Sequence, residues 1–212
     1  MTFYPKAEKL HNSAALLTAT PTRNEYKGMR ALGFKCQCCG FKAVPTKEVP
    51  TAGMEFVTVN GKLYLLCLLC AQSQMLSRPV TLKNGKLEYN HGCLVYCPEV
   101  SQGKIIEKVR DIYALALHES KHPNRSLLAY IDELKQSYID LLIKRVSNIP
   151  ALKIENNYMG GYVSLYKFAP PELLEKGNKV FGGIRYLPND LVFSHIIQYW
   201  LDTSYISLPH KI

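Results

Sequence analysis

The chain has 212 residues, 47% of them hydrophobic, enough to bury the core of one large domain or two small ones. Its 26 Lys and Arg against 17 Asp and Glu give a formal charge of +9, which suits nucleic acid, an acidic protein surface or anionic lipid without choosing among them. Seven cysteines make an odd count for a disulfide framework, and the longest apolar-looking run, residues 63–76, has 14 residues where a bilayer needs roughly 20. The sequence therefore reads as a soluble, cytoplasmic protein whose thiols stay reduced and free for metal.

Residues 1–30 read as an irregular segment, punctuated by Pro5, Pro21 and Gly28. The run HNSAALLTAT that follows Lys6 and Lys9 is interrupted by Asn12, Ser13 and Thr18, which argues against a secretory signal. Residues 31–100 read as a metal-and-strand module. Asn60-Gly61 and Asn84-Gly85 each lie between alternating apolar runs, and Asn-Gly tolerates the positive φ angles of a two-residue turn, so each predicts a β-hairpin. CLVYC, 93–97, predicts a further short strand stopped by Pro98.

From residue 101 the period changes, and 101–212 reads as a helical part packed on the module to make one α+β domain. Ile105, Ile106, Val109, Ile112, Tyr113, Ala116 and Leu117 form one helical stripe, with Ser101 or Gln102 at its cap. After Pro123 a second helix is expected over about 125–147, with Leu127, Leu128, Ile131, Leu134, Tyr138, Leu141 and Leu142 on one face. Residues 148–170 read as a loop, with a short helix after Pro170-Pro171. Asn189 is expected to cap a last helix carrying Val192, Ile196, Tyr199 and Trp200.

The cysteines carry the chemistry. FKCQCCGFKA, 34–43, offers Cys36 with Cys39, or the vicinal pair Cys38 and Cys39. CLLC supplies Cys67 and Cys70. Taken as Cys36/Cys39 and Cys67/Cys70, the pattern is C-x2-C, 27 residues, C-x2-C, with a hairpin inside the gap. Two intervening residues let paired sulfurs face one zinc ion at about 2.3 Å. Gly40 eases the turn after Cys39, and vicinal ligation is sterically awkward, which leaves Cys38 as a passenger. Four thiolates close a tetrahedron, so the zinc would be structural, one per chain, and the charge of +9 would become about +7. The competing reading is a set of buried free thiols in an apolar core. Cys93 and Cys97 read as core thiols.

FKCQCCGFKA, CLLCAQ, GCLVYCPEVSQ and FGGIRYLPNDLVFSHIIQYW occur in the order and approximate spacing of the IcmJ/DotN proteins of Dot/Icm-type (type IVB) secretion and related conjugative transfer systems. The resemblance spans roughly 34–118 and 166–200. It implies a zinc module similar to the HNH (treble-clef) nuclease fold but without its catalytic residues, with Cys36, Cys39, Cys67 and Cys70 as ligands. It also implies a subunit of the coupling complex that binds an extended segment of the coupling ATPase, and recruitment to the inner membrane through that complex. The chain departs from the family pattern at Cys38, where an apolar or aromatic residue is usual, and at 73–91, which looks longer.

The residues argue independently against a catalyst. An HNH nuclease needs a histidine base between the cysteine pairs, and 40–66 contains no histidine; Glu48 and Glu55 are its only acids. HESKH, His118 to His122, fits the H-E-x-x-H pattern of zinc proteases, but Pro123 disfavours helix at His122. His195 reads as a packed histidine. The remaining alternative is a DNA-binding protein, with Lys35, Lys42 and Lys47 near the first cysteine pair.

Overall fold

The computed structural model of the protein describes residues 19–145 and 182–205. The loop expected at 148–170 and the short helix after Pro171 lie outside these residues.

Residues 1–30 were expected to be irregular; over 23–30 the first described element is instead a helix. Helix α1 spans Arg23–Ala31, and its start is a capping box. Thr22 Oγ1 accepts from Glu25 N at 3.2 Å, and Glu25 Oε2 accepts from Thr22 N at 2.7 Å. The helix stops where Gly33 takes φ 62°, with Phe34 N donating to Met29 O and Gly33 N to Arg30 O, a Schellman closure. Gly28, expected to punctuate the chain, sits inside the helix. A Cβ there would stand 3.0 Å from the Phe56 ring, so its bare backbone lets α1 approach the first hairpin.

Residues 35–42 fold back on themselves through the Lys35–Lys42 bridge. Strands β1 (Met54–Val59) and β2 (Lys62–Cys67) then form the expected antiparallel hairpin. Its turn residues Asn60 and Gly61 both take positive φ, 52° and 74°, the two-residue type whose twist matches the strands. Helix α2 (Leu68–Gln74) follows with no linker and is buried throughout.

The second hairpin forms, but not with a two-residue turn. Strands β3 (Val80–Thr81) and β4 (Leu87–Glu88) are joined by a turn in which Gly85 N donates to Leu82 O, and Leu82 N donates to Lys86 O. Only Gly85 of the Asn-Gly pair takes a positive φ, the arrangement of a three-residue loop with a glycine bulge. Strand β5 (Gly92–Tyr96) is the expected one. Its antiparallel partner, β6 (Ile184–Pro188), comes from the part read as helical.

Helix α3 (Gln102–Lys121) starts at the Ser101 cap and ends at His122, as Pro123 dictates. Helix α4 (Arg125–Leu134) continues through a π turn (Lys135–Asp140) into α5 (Leu141–Lys144). The π turn breaks the anticipated stripe. Past its start Ile139 and Leu142 are buried while Leu141 is 51% exposed; ahead of it Ile131 is buried and Leu128, expected on the same face, is 44% exposed. A wider turn rotates the residues that follow, so a strict 3.6 period loses phase there. Helix α6 (Asp190–Thr203) is capped by the Asn189 side chain, which accepts from Leu191 N.

Helix α3 packs on α2, β6 and α6. Gln102, the first residue of α3, exchanges two hydrogen bonds with the Tyr186 backbone at 2.8 and 2.7 Å and so occupies the open edge of β6. Trp200 of α6 is fully buried and donates to Ala52 O at 2.9 Å, while Tyr199 Oη donates to Val44 O. The last helix thus clasps the segment between the first cysteine pair and the first hairpin. Among the described residues no helix is long and apolar enough to cross a membrane.

Candidate metal centre

The fold brings Cys36, Cys39, Cys67 and Cys70 together. Cys36 and Cys39 lie on the reversed segment 35–42. Cys36 N donates to Phe41 O and Gly40 N to Cys36 O, and Gly40 takes φ 77° to let the chain return. Cys67 ends β2 and stands at the N-cap of α2, and Cys70 is in the first turn of that helix. One side chain fixes the two halves together: Gln37 N donates to Leu65 O, and Leu65 N donates to Gln37 Oε1 at 2.8 Å. Gln37 in effect extends the edge of β2 to the knuckle.

The four Sγ atoms lie within 4.8 Å of one another, and Cys39 Sγ and Cys67 Sγ are 3.8 Å apart. Four sulfurs at about 2.3 Å from one ion, arranged as a tetrahedron, stand about 3.8 Å from each other. The set therefore fits a tetrahedral thiolate site, and among the described residues it is the only group of metal-ligating side chains so placed. All the cysteines are free thiols. Cys36, Cys67 and Cys70 are buried and Cys39 is half-buried.

Electrostatics favour a cation at the centre. Burial opposes ionisation of Cys36, but hydrogen bonds from the Cys39, Cys67 and Cys70 thiols outweigh it and hold its pKa well below the ordinary thiol value. Cys67 and Cys70 are pushed well above that value, by burial first and then by contact with the Cys36 and Cys39 thiols. One thiolate can thus be solvated by its neighbours, but four cannot coexist without a positive charge among them.

Arg110 of α3, missed in the sequence, reaches this site. Its Nη1 donates to Cys39 Sγ at 3.5 Å, and its guanidinium lies 4.1 Å from the Phe41 ring centroid. Asp111 and Tyr205 hold the remaining nitrogens. Gly103 of the same helix is pressed on the knuckle, since a Cβ there would stand 2.3 Å from Cys38 O. Neither position carries a spacing signal, because both act across about 70 residues of chain.

No protein-family model matches the chain, and no curated protein does.

The other singled-out residues are elsewhere. His122 lies past the end of α3, and Glu119 accepts from Asn124 N at 3.3 Å. The His118 and His122 rings are 4.9 Å apart, but no third ligand joins them among the described residues. His195 is half-buried on α6, where burial lowers its pKa. Cys93 is on β5 and Cys97 just beyond it, and neither joins the four; burial raises the pKa of Cys93 to about 11.

His91, which the sequence does not single out, is fully buried beside α2. Its Nδ1 pairs with Tyr186 Oη at 2.9 Å, and its Nε2 faces Leu76 O and Gln72 Nε2. Gln72 also donates to Arg78 O, and Arg78 forms a bidentate ion pair with Glu55 at 2.6 and 2.7 Å. This network joins β1, α2 and β6 to the loops beside them. Its histidine has both nitrogens engaged.

Proposed function

We propose that the chain is a non-enzymatic, zinc-stabilised adaptor of a type IVB secretion or conjugation coupling complex, similar to the IcmJ/DotN proteins and binding the coupling ATPase. The metal is zinc, and the knuckle, hairpin and helix that surround it make an HNH-like treble-clef module. The observation that carries the reading is the closed set of four cysteines. Four thiolates fill a tetrahedron, so the ion keeps no position for water or substrate and contributes folding free energy instead. The absence of histidine from 40–66 supports the same reading, because the general base of an HNH nuclease has no counterpart there. The sequence motifs around the cysteines and RYLP carry the resemblance to that family.

The zinc-loaded full chain should retain the cytosolic tail of the coupling ATPase in a pull-down. Folded, zinc-loaded protein that retains none of it would contradict the adaptor reading.

A second reading, DNA binding, is favoured by one surface. Arg23, Lys27 and Arg30 recur at i, i+4 and i+7 on α1, and all three are exposed. Lys35 and Lys42 face each other, also exposed, across the knuckle that follows. Such a face attracts phosphate with a steep salt dependence. A gel-shift titration with duplex DNA at low salt decides it: no shift removes this reading and leaves the adaptor.

A further inference from the structure

Residues 19–47 carry six cations, Arg23, Lys27, Arg30, Lys35, Lys42 and Lys47, against one acid, Glu25, whose carboxylate is taken up by the Thr22 cap. All six cations are exposed, and none forms an ion pair among the described residues. At about 100° of turn per residue, Arg23, Tyr26, Lys27 and Arg30 share one arc of α1. The Tyr26 ring meets the Phe34 ring edge-on at 5.9 Å, and Phe34 leads into the knuckle, so the face of the helix continues onto it. There Phe34, Cys36, Phe41 and Ala43 are buried, while Lys35, Lys42 and Val44 alternate with them and are exposed. Lys35 and Lys42 are bridge partners, so their side chains leave on one side. Leu32 lines a surface depression with Lys35 and Gly40. Three exposed apolar side chains, Tyr26, Leu32 and Val44, thus stand among the cations.

We propose that α1 and the knuckle form a docking face for the surface of an anionic lipid bilayer, with the cations on the headgroup phosphates and Tyr26, Leu32 and Val44 at the boundary between headgroups and acyl chains. The cations alone fit any polyanion, including the duplex considered above. The apolar side chains among them separate the two partners. A duplex presents phosphate and sugar to such a face, and Leu and Val pressed against them gain no apolar partner. At a bilayer the same side chains leave water for acyl chains, and a tyrosine ring suits a layer that is apolar on one side and wet on the other. The stems of Lys and Arg lie along the apolar layer while their heads stay at the phosphates. The chain then rests on the membrane, which needs no spanning helix, and among the described residues there is none. Each cation near an anionic surface raises partition about fivefold, so several act together where one would be too weak. The inference stands apart from the zinc and adaptor readings, and it takes the same surface as the DNA reading.

The test is sedimentation of the full chain with vesicles of phosphatidylcholine, alone or mixed with phosphatidylglycerol. The chain should pellet with the mixed vesicles only, and less as salt rises. Lys35→Gln with Lys42→Gln should weaken partition about 25-fold. Lys121→Gln with Arg125→Gln, an equal loss of exposed charge at the junction of α3 and α4, should weaken it about twofold at most. Leu32→Ser with Val44→Ser keeps the charge and should weaken it about tenfold. All six side chains are exposed, so the variants should keep the wild-type circular dichroism that qualifies them for comparison. Equal pelleting with neutral vesicles, equal losses from the two charge pairs, or no loss from the Leu32 and Val44 pair would each overturn the proposal. So would a chain that shifts duplex DNA in the same buffer and ignores both kinds of vesicle, the result that assigns this face to nucleic acid. No coupling ATPase enters these measurements, so their failure leaves the adaptor reading standing, and a failed pull-down leaves this one.

Discussion

Arg110 shows how a single side chain serves both packing and charge. It is 4% exposed, donates to Cys39 Sγ and covers the Phe41 ring, so it brings a positive charge to a set of ligands that carries −2 once four thiolates hold a dication. Arg110→Met keeps the stem and removes the charge and the donor. Its metal affinity, read by competition with a chelator, should fall about 10- to 100-fold, the usual effect of losing a partner of a ligand; an unchanged affinity would show that the contact with sulfur is incidental. His91 is the second telling residue. Burial, first, and the charge of Arg78 lower its pKa to about 4, against the opposing pull of the Leu76 carbonyl and Glu88. The unfolded chain, whose histidine titrates near 6.5, therefore takes up the proton first on acidification. Stability is lost as pH falls from about 6.5 to 4, by about 3 kcal/mol from this group. Acid also competes with any metal for the thiolates, so the comparison that isolates His91 is denaturant unfolding of wild type against His91→Gln over that range. The variant should show a shallower slope of stability with pH; parallel curves would contradict the assignment. Neither residue was legible in the sequence. Each acts through partners far along the chain, and a lone Arg in a helix or a lone His before a strand has no pattern to distinguish it.

At the scale of elements, the cysteine spacing, the Asn60-Gly61 hairpin and the Ser101 and Asn189 caps were readable because each is a local rule with a local consequence. The same kind of rule was available for α1, in Thr22, Glu25 and Gly33, but the proline and glycine around it obscure the signal. Gly28 is inside that helix for a tertiary reason, the approach of Phe56. Strand β6 could not be read locally, since its pairing with β5 spans some 90 residues of chain. The junction of α3 with the knuckle gives a direct test. Gly103→Ala should gain about 1 kcal/mol of helix propensity but drive a Cβ against the Cys38 carbonyl, a backbone atom that cannot swing aside. Overpacking costs typically 1–3 kcal/mol, so the net effect should be a loss of about 1 kcal/mol in stability together with weaker metal binding; a stabilised variant would show that α3 does not bear on the knuckle. The π turn gives another. The periodic stripe puts Leu141 in the core, and the fold puts Ile139 there instead. Ile139→Ala should destabilise by about 2–4 kcal/mol, and Leu141→Gln by about 0.5 kcal/mol or less. The reverse order would mean that the helix runs through this region without the wider turn.

For the molecule as a whole, the two cysteine pairs are the point where separate parts meet. The knuckle, β2 and α2 supply the sulfurs, α3 presses on them through Gly103 and Arg110, and α6 holds the segment in between through Trp200 and Tyr199. The α+β class and the grouping of Cys36, Cys39, Cys67 and Cys70 were legible before the structure because metal geometry restricts spacing more tightly than packing does. The way the helices converge on the site was not, because packing partners are set by tertiary contacts that one sequence does not display. The central claim is that a metal ion, held by sulfur alone, fastens these parts. X-ray absorption at the zinc edge of the purified, folded chain tests it most directly. The account predicts about one zinc per chain surrounded by four sulfurs at about 2.3 Å. A nitrogen or oxygen ligand in the first coordination sphere, or a folded chain that binds no zinc, would contradict it.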